Sequence, residues 1–247
     1  MILRRYLVVT LLIMSFTTLW GQESSEKKKG RPDLPGTFSL ELGVNRPLNK
    51  PKAFDIGLWG SRTLNVTYQL DKRIGQSKFS VHPGVGFGFE RYKLRNGYTL
   101  FYADTTGAEL DLTKNTNLLL ANSGLVLTNP AGKSMLIVNY FDLMAELRFS
   151  TNPEDPGRSF KISIGGKIGA RMTSQTKVKY RDSGAVVQKT KNDFDLNDFR
   201  YGAFVKVGAG SFSVFAHYNF SPLFTPGVGP EKTDMNNLTI GVSLASF

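Results

Sequence analysis

Phe160-Lys161-Ile162-Ser163-Ile164-Gly165-Gly166-Lys167-Ile168-Gly169-Ala170-Arg171-Met172 is the stretch that decides the fold. Phe160, Ile162, Ile164, Ile168, Ala170 and Met172 alternate with Lys161, Ser163, Gly165, Lys167, Gly169 and Arg171. A period of two puts the two sets on opposite faces of an extended strand, where a helix would scatter both. One face is apolar. The other mixes cations with glycine.

The same alternation recurs on both sides. It covers Phe38 to Val44, Leu64 to Leu70, Phe79 to Phe89 (interrupted by Pro83), Phe141 to Phe149, Tyr201 to Val207, Phe212 to Phe220 and Leu238 to Leu244. With the opening stretch these make eight predicted strands, and no segment shows helical spacing of apolar residues.

Alternation fits a soluble sandwich as well as a membrane barrel. Three features favour the barrel. The polar face carries Glu41, Glu90, Asp142, Glu146, Arg148, Lys161, Lys167, Arg171, Arg200 and Lys206 together with many glycines, which suits a narrow, crowded interior. Aromatics stand at strand ends (Phe38, Tyr68, Phe79, Phe141, Phe149, Phe160, Tyr201, Phe212 and Phe220), as interfacial girdles require. The connections alternate long and short: Asn45–Arg62 long, Asp71–Ser77 short, Arg95–Lys133 very long, Ser150–Ser159 short, Ser174–Phe199 long, Gly208–Ser211 tight, Ser221–Asn237 long. An even number of strands then puts every short turn on one side and every long loop on the other. The expected fold is all-β, an eight-stranded antiparallel up-and-down transmembrane β-barrel over residues 37–247, with long extracellular loops and short periplasmic turns.

In hydrocarbon each unpaired backbone group costs several kcal/mol, so the sheet must close. Eight strands leave room only for side chains. The ten charged residues named above are therefore expected to form a packed lumen network, not to line an open pore.

The N-terminus reads as a targeting signal. Arg4 and Arg5 precede the apolar run Tyr6–Met14, which is shorter than the ~20 residues a spanning helix needs. Cleavage after Gly21 makes residues 1–21 a signal peptide; an uncleaved anchor is the alternative. Residues 22–36, with Lys27, Lys28, Lys29 and two prolines, read as a flexible periplasmic lead-in.

Composition agrees with a single sizeable domain: 247 residues, 40% hydrophobic, 21% charged, 18 Phe. The absence of Cys excludes disulfides, thiolate metal sites and a Cys-linked lipid anchor. Loss of Arg4 and Arg5 with the leader takes 31 basic residues to 29, against 20 acidic, for a net +9. No basic stripe with interleaved aromatics lies on a predicted helix, so no nucleic-acid partner is expected. A basic balance equally suits contact with anionic lipid headgroups.

Two long loops contain hairpin patterns. Tyr98–Asp104 and Ala108–Leu112 flank Thr105-Thr106-Gly107, and Thr176–Tyr180 and Ala185–Thr190 flank a turn at 181–184. The second carries Lys177, Lys179, Arg181, Lys189 and Lys191, a basic surface expected at headgroup height. Contact with lipopolysaccharide phosphates or an acidic partner is one interpretation; an ordinary solvated loop is the other.

The C-terminal Phe247 after an amphipathic strand resembles the ending of substrates of the outer-membrane barrel assembly machinery. It falls out of phase with Val242 and Leu244 unless a bulge intervenes. The stretches Lys133–Tyr140, Thr176–Tyr180, Phe199–Gly202 and Ser221–Phe224 resemble the small PorT-like outer-membrane β-barrel proteins of Bacteroidota. That resemblance implies the fold and an outer-membrane location. It also raises the prospect of a protein partner in a secretion or envelope complex, since PorT is associated with secretion machinery.

Chemistry finds little support. His82 and His217 are the only histidines, both on inward faces, and His217 with Ser221 matches a base–nucleophile pair by residue type alone. No His/Asp/Glu cluster has ligand spacing, and Gly84–Gly88 is not followed by a helix that could cradle phosphate. The chain is expected to be no enzyme and to hold no metal or cofactor. A lipid-modifying enzyme remains the third reading, after a docking barrel and a secretion accessory.

Overall fold

The computed structural model describes residues 36–51, 54–95, 98–102, 118–122, 131–180, 187–230 and 233–246. The expected leader 1–21, the lead-in except Gly36, Arg181 and Phe247 lie outside the described residues.

The strands are β1 (Thr37–Leu48), β2 (Arg62–Gln69), β3 (Lys72–Arg73), β4 (Phe79–Leu94), β5 (Tyr98–Tyr102), β6 (Leu118–Asn122), β7 (Ala131–Ser150), β8 (Phe160–Tyr180), β9 (Val187–Lys191), β10 (Phe199–Ala209), β11 (Phe212–Asn219) and β12 (Asn236–Ala245). Eight of them close a ring in the order β1-β2-β4-β7-β8-β10-β11-β12, and β12 pairs back onto β1; every pairing is antiparallel. β3 prolongs β2 in the same register against β4. The fold is an eight-stranded up-and-down barrel.

Its stagger follows from the register. Phe212 lies opposite Leu244, and the row continues through Leu40, Val66, Phe87, Phe141 and Ala170 to Phe199. Extended from Gly202 opposite Asn219, the β10–β11 register sets Phe199 against position 222, ten residues beyond the start. A stagger of ten across eight strands gives a tilt of about 40° and a backbone radius of about 8 Å. Such a barrel is just wide enough to be filled by side chains.

Short and long connections segregate as the sequence pattern requires. Turns at 74–78, 151–159 and 210–211 occupy one end, and all the long connections the other. The Gly210-Ser211 turn joins Ala209 to its partner Phe212, with Gly210 at a left-handed φ of 58°.

The strand ends differ from the sequence estimate. β7 runs 20 residues and β8 21, where a tilted strand needs only ~9–11 to cross a bilayer, so both project far past the long-loop rim. A bulge between the Tyr140–Arg171 and Asn139–Thr173 pairs reverses the parity of β8. Beyond it Ser174, Thr176 and Val178 point inward, and Lys177 and Lys179 outward. β9 pairs along this projection, forming the second expected hairpin.

The first hairpin is corrected. The partner of β5 is Leu118–Asn122, not Ala108–Leu112. The sequence 108–112 carries Glu109 and Asp111, whereas 118–122 has no charge and three consecutive leucines, which makes it the better strand former. Residues 108–112 themselves lie outside the described residues.

Candidate functional site

Inward positions of β10 bring two cations into the lumen, Arg200 near the long-loop end and Lys206 near the short-turn end. Arg200 donates from Nε to Asp142 Oδ1 (3.1 Å) and from Nη2 to both Asp142 oxygens (2.9 and 2.7 Å), and Nη1 bonds Glu90. Its guanidinium lies 3.9 Å over the Tyr140 ring, and the Tyr92 hydroxyl donates to Glu90 Oε2 at 2.5 Å. The bidentate fork matches the planar carboxylate. Two glycines make room for it: a Cβ on Gly169 would collide with Asp142 Oδ1, and one on Gly88 would come within 2.8 Å of Asp142 Oδ2.

A second cluster is centred on Lys206, whose Nζ is 2.8 Å from Glu41 Oε1 and 3.1 Å from Glu146 Oε2. Arg148 adds a bond from Nε to Glu146 Oε1 (2.9 Å), Gln69 donates to Glu146 Oε2 (3.2 Å), and Asn65 donates to Glu41 Oε2 (2.8 Å). Lys161 donates to the Gly210 carbonyl at 3.1 Å. Lys167 is buried between the clusters, in the field of Glu41 and Asp142. These nine charged residues are each 7% exposed or less.

Arg171, the tenth residue of the expected network, does not join the lumen carboxylates. It keeps the inward phase of β8, opposite the buried Tyr140, but stands at the mouth, where it bonds Asp193 Oδ1 (2.9 Å), Asp198 Oδ1 (2.6 Å) and Ser174 Oγ (3.0 Å) and so pins the β9–β10 loop. That loop holds Phe194 at φ 50°, unusual for a bulky residue, with its ring fully buried.

The interior beyond Glu90 and Asp142 was not foreseen. Tyr92, Leu94, Leu136 and Val138, on the inward faces of β4 and β7, pack against Phe54, Phe194, Leu196, Leu223, Phe224 and Met235 from the loops. Phe54 meets Tyr92 and Phe224 edge to face at centroid distances of 6.4 and 6.2 Å. This apolar cluster stoppers the long-loop mouth. Below it, gaps of about 10 Å³ beside Arg200 and 20 Å³ beside Lys206 hold a single water at most.

The histidines do not form a catalytic relay. Ser221 Oγ accepts from the Tyr201 amide (3.1 Å), and His217 Nε2 has no hydrogen-bond partner among the described residues. The sequence did not suggest the grouping of Ser80, His82 and Asp71. Ser80 Oγ lies 2.8 Å and Asp71 Oδ1 3.5 Å from the same nitrogen, His82 Nε2, whereas a relay needs them on opposite nitrogens. Among the described residues no group of three His, Asp or Glu could hold a metal ion.

The outer surface is the other candidate. Within the barrel band it is Leu, Ile, Val and Phe: Leu143, Ile162, Ile164, Ile168, Val205 and Val214 are all at least 47% exposed. Rings pair across its rims, as Phe38–Tyr68 (4.9 Å), Phe79–Phe149 (5.4 Å) and Tyr201–Phe220 (6.4 Å). Past the long-loop rim the same face turns basic. Arg62 lies opposite Arg91, Lys133 opposite Lys179, Lys177 opposite Lys189, and Gln175 opposite Lys191. No carboxylate stands on this face of β1, β2, β4, β7, β8 or β9 among the described residues.

Lys177, Lys179, Lys189 and Lys191 are thus brought onto one face. Lys177 is seven positions past Ala170 on the tilted β8, roughly 15 Å above the aromatic rim. The β8 projection, continuous with the expected hairpin, carries them upward.

No protein-family model matches the sequence, and no curated protein matches it. Among solved structures, neisserial surface protein A (NspA) is similar at 8% identity over 85% of this chain and 96% of that one, with a TM-score of 0.35. Ail, the attachment invasion locus protein of Yersinia pestis, solved with the heparin analogue sucrose octasulfate, is similar at 12% identity over 86% of this chain and 100% of that one, with a TM-score of 0.33. The fold assignment rests on the closed strand register itself.

Proposed function

We propose that the chain is an integral, non-enzymatic β-barrel of a bacterial outer membrane, exported by a signal peptide at residues 1–21 and inserted by the barrel assembly machinery. It acts there as a structural or partner-docking element, not as a diffusion pore. One observation carries this reading: at the level of the barrel the burial order of a soluble protein is inverted, with charges inside and a continuous apolar surface outside. Water would penalise such a surface heavily, and hydrocarbon would not. The stoppered mouth and filled lumen favour docking over conduction.

A second reading, suggested by the PorT-like resemblance, is an accessory barrel of a secretion or envelope complex, which predicts a stable partner on mild-detergent purification. The test of the broader reading is gel migration of outer-membrane extracts with and without boiling. A closed membrane barrel shifts on heating. A soluble protein in periplasm or medium with no shift would overturn the proposal.

A further inference from the structure

Across the rim the outward rows of the sheet form a groove of about 580 Å³ between β1, β2, β4 and β7. Its floor is Leu42, Leu64 and Phe89, successive partners in one row, and Met135 closes the far side. Arg62 and Arg91, directly opposite each other in the next row, form its upper edge. Trp59, 76% exposed on the Leu58–Gly60 turn, overhangs it.

Two features of this groove make little sense in isolation. Like charges directly opposite in a sheet repel, and neither arginine is ion-paired among the described residues; Arg62 bonds only the Trp59 carbonyl, at 2.6 Å. A tryptophan so exposed is likewise costly in water but at home where hydrocarbon meets headgroups. An anion between the two guanidinium groups, with its acyl chain on the apolar floor, resolves both.

We infer that this groove binds a phosphorylated glycolipid of the outer leaflet, with a phosphate between Arg62 and Arg91 and an acyl chain along Leu42, Leu64 and Phe89. The height of the remaining charge favours a glycolipid over a glycerophospholipid. Lys93 flanks the groove one row above Arg91, and Lys177 and Lys189 continue that row, roughly 10–15 Å above the apolar band. A glycerophospholipid headgroup ends below that level. A saccharide headgroup carrying further anionic groups spans both tiers, each cation adding attraction near the surface.

This inference rests on the barrel lying in a membrane, and heat-modifiable migration tests that point separately. The binding test uses the full chain carrying Trp20→Phe, which leaves Trp59 as the only tryptophan. It is refolded in zwitterionic detergent and titrated with short-chain lipopolysaccharide, phosphatidylglycerol or heparin while Trp59 emission is followed. Lipopolysaccharide should shift the emission at the lowest concentration. Arg62→Gln with Arg91→Gln should weaken it at least tenfold, and Lys189→Gln with Lys191→Gln by no more than two- to threefold. Every variant must keep its heat-modifiable migration; Arg62→Lys with Arg91→Lys, which retains charge but loses the fork, replaces a glutamine pair that does not fold and should fall between. Equal binding by the glutamine pair, equal binding of phosphatidylglycerol, or an equal loss from the upper lysines would overturn the proposal. Preferential capture of heparin would do the same, by making the groove a polysaccharide site.

Discussion

Glu90 and Tyr92 are two residues apart on the same inward face of β4, yet they belong to interiors of opposite kind. Below Glu90 the interior is ionic, with Arg200, Asp142, Lys206, Glu41 and Glu146 in two interlocked clusters. Above Tyr92 it is a cluster of aromatic and aliphatic side chains like that of a soluble protein. The outward face reverses at almost the same point, from Phe87 and Phe89 to Arg91 and Lys93. A strand that keeps one backbone geometry throughout thus changes the chemistry of both faces where its surroundings change from lipid to water. The medium, more than the fold, decides what belongs inside.

Losing the cation of the upper ionic cluster should cost the barrel most. Arg200→Ala leaves Glu90 and Asp142 buried without their partner, and stability should fall by about 3–5 kcal/mol, read from the urea midpoint of the barrel in vesicles. A loss under about 1 kcal/mol would mean that water reaches these carboxylates. In the apolar interior, Phe224→Ala should cost about 3 kcal/mol. That loss should be local, with faster hydrogen exchange at the loop amides of Asn197 and Thr225 and unchanged exchange in β1 and β12. Were the whole barrel to lose protection together, the two interiors would be one cooperative unit. On the outer face, Ile164→Arg near the middle of the apolar band should cost about 2–3 kcal/mol, whereas Ile137→Arg, above the rim, should cost less than about 1 kcal/mol. Equal penalties would erase the boundary drawn between Phe89 and Arg91.

The period-two pattern carried the barrel into the sequence because lipid and lumen impose opposite demands on alternate residues. Eight strands, their alternating loop lengths and nine buried lumen charges could be read that way. The stopper could not. Phe54, Phe194, Leu223 and Phe224 lie in loops without periodicity, and the inward set of β4 and β7 changes from charged to apolar without changing phase, so alternation has no mark for the transition. The outward turn of Lys177 and Lys179 was hidden for a related reason. A bulge costs one residue and leaves composition untouched, yet it moves every side chain beyond it to the other face. The Arg62–Arg91 pair needed the register itself, since 29 positions separate the two in the chain and only the β2–β4 pairing sets them side by side.

Lys206 also bears on how such a chain is assembled. Its two carboxylates come from β1 and β7, 165 and 60 positions away, and β1 reaches its final neighbour only when it meets β12. An unclosed sheet would leave Glu41 facing a half-formed cavity without its ammonium partner. Closing the seam and neutralising the lumen are therefore the same event. Contacts of such long range are slow to form, but once made they leave the open intermediate no electrostatic foothold. A barrel built this way should pass from open to shut in one cooperative step and, once shut, should reopen only rarely.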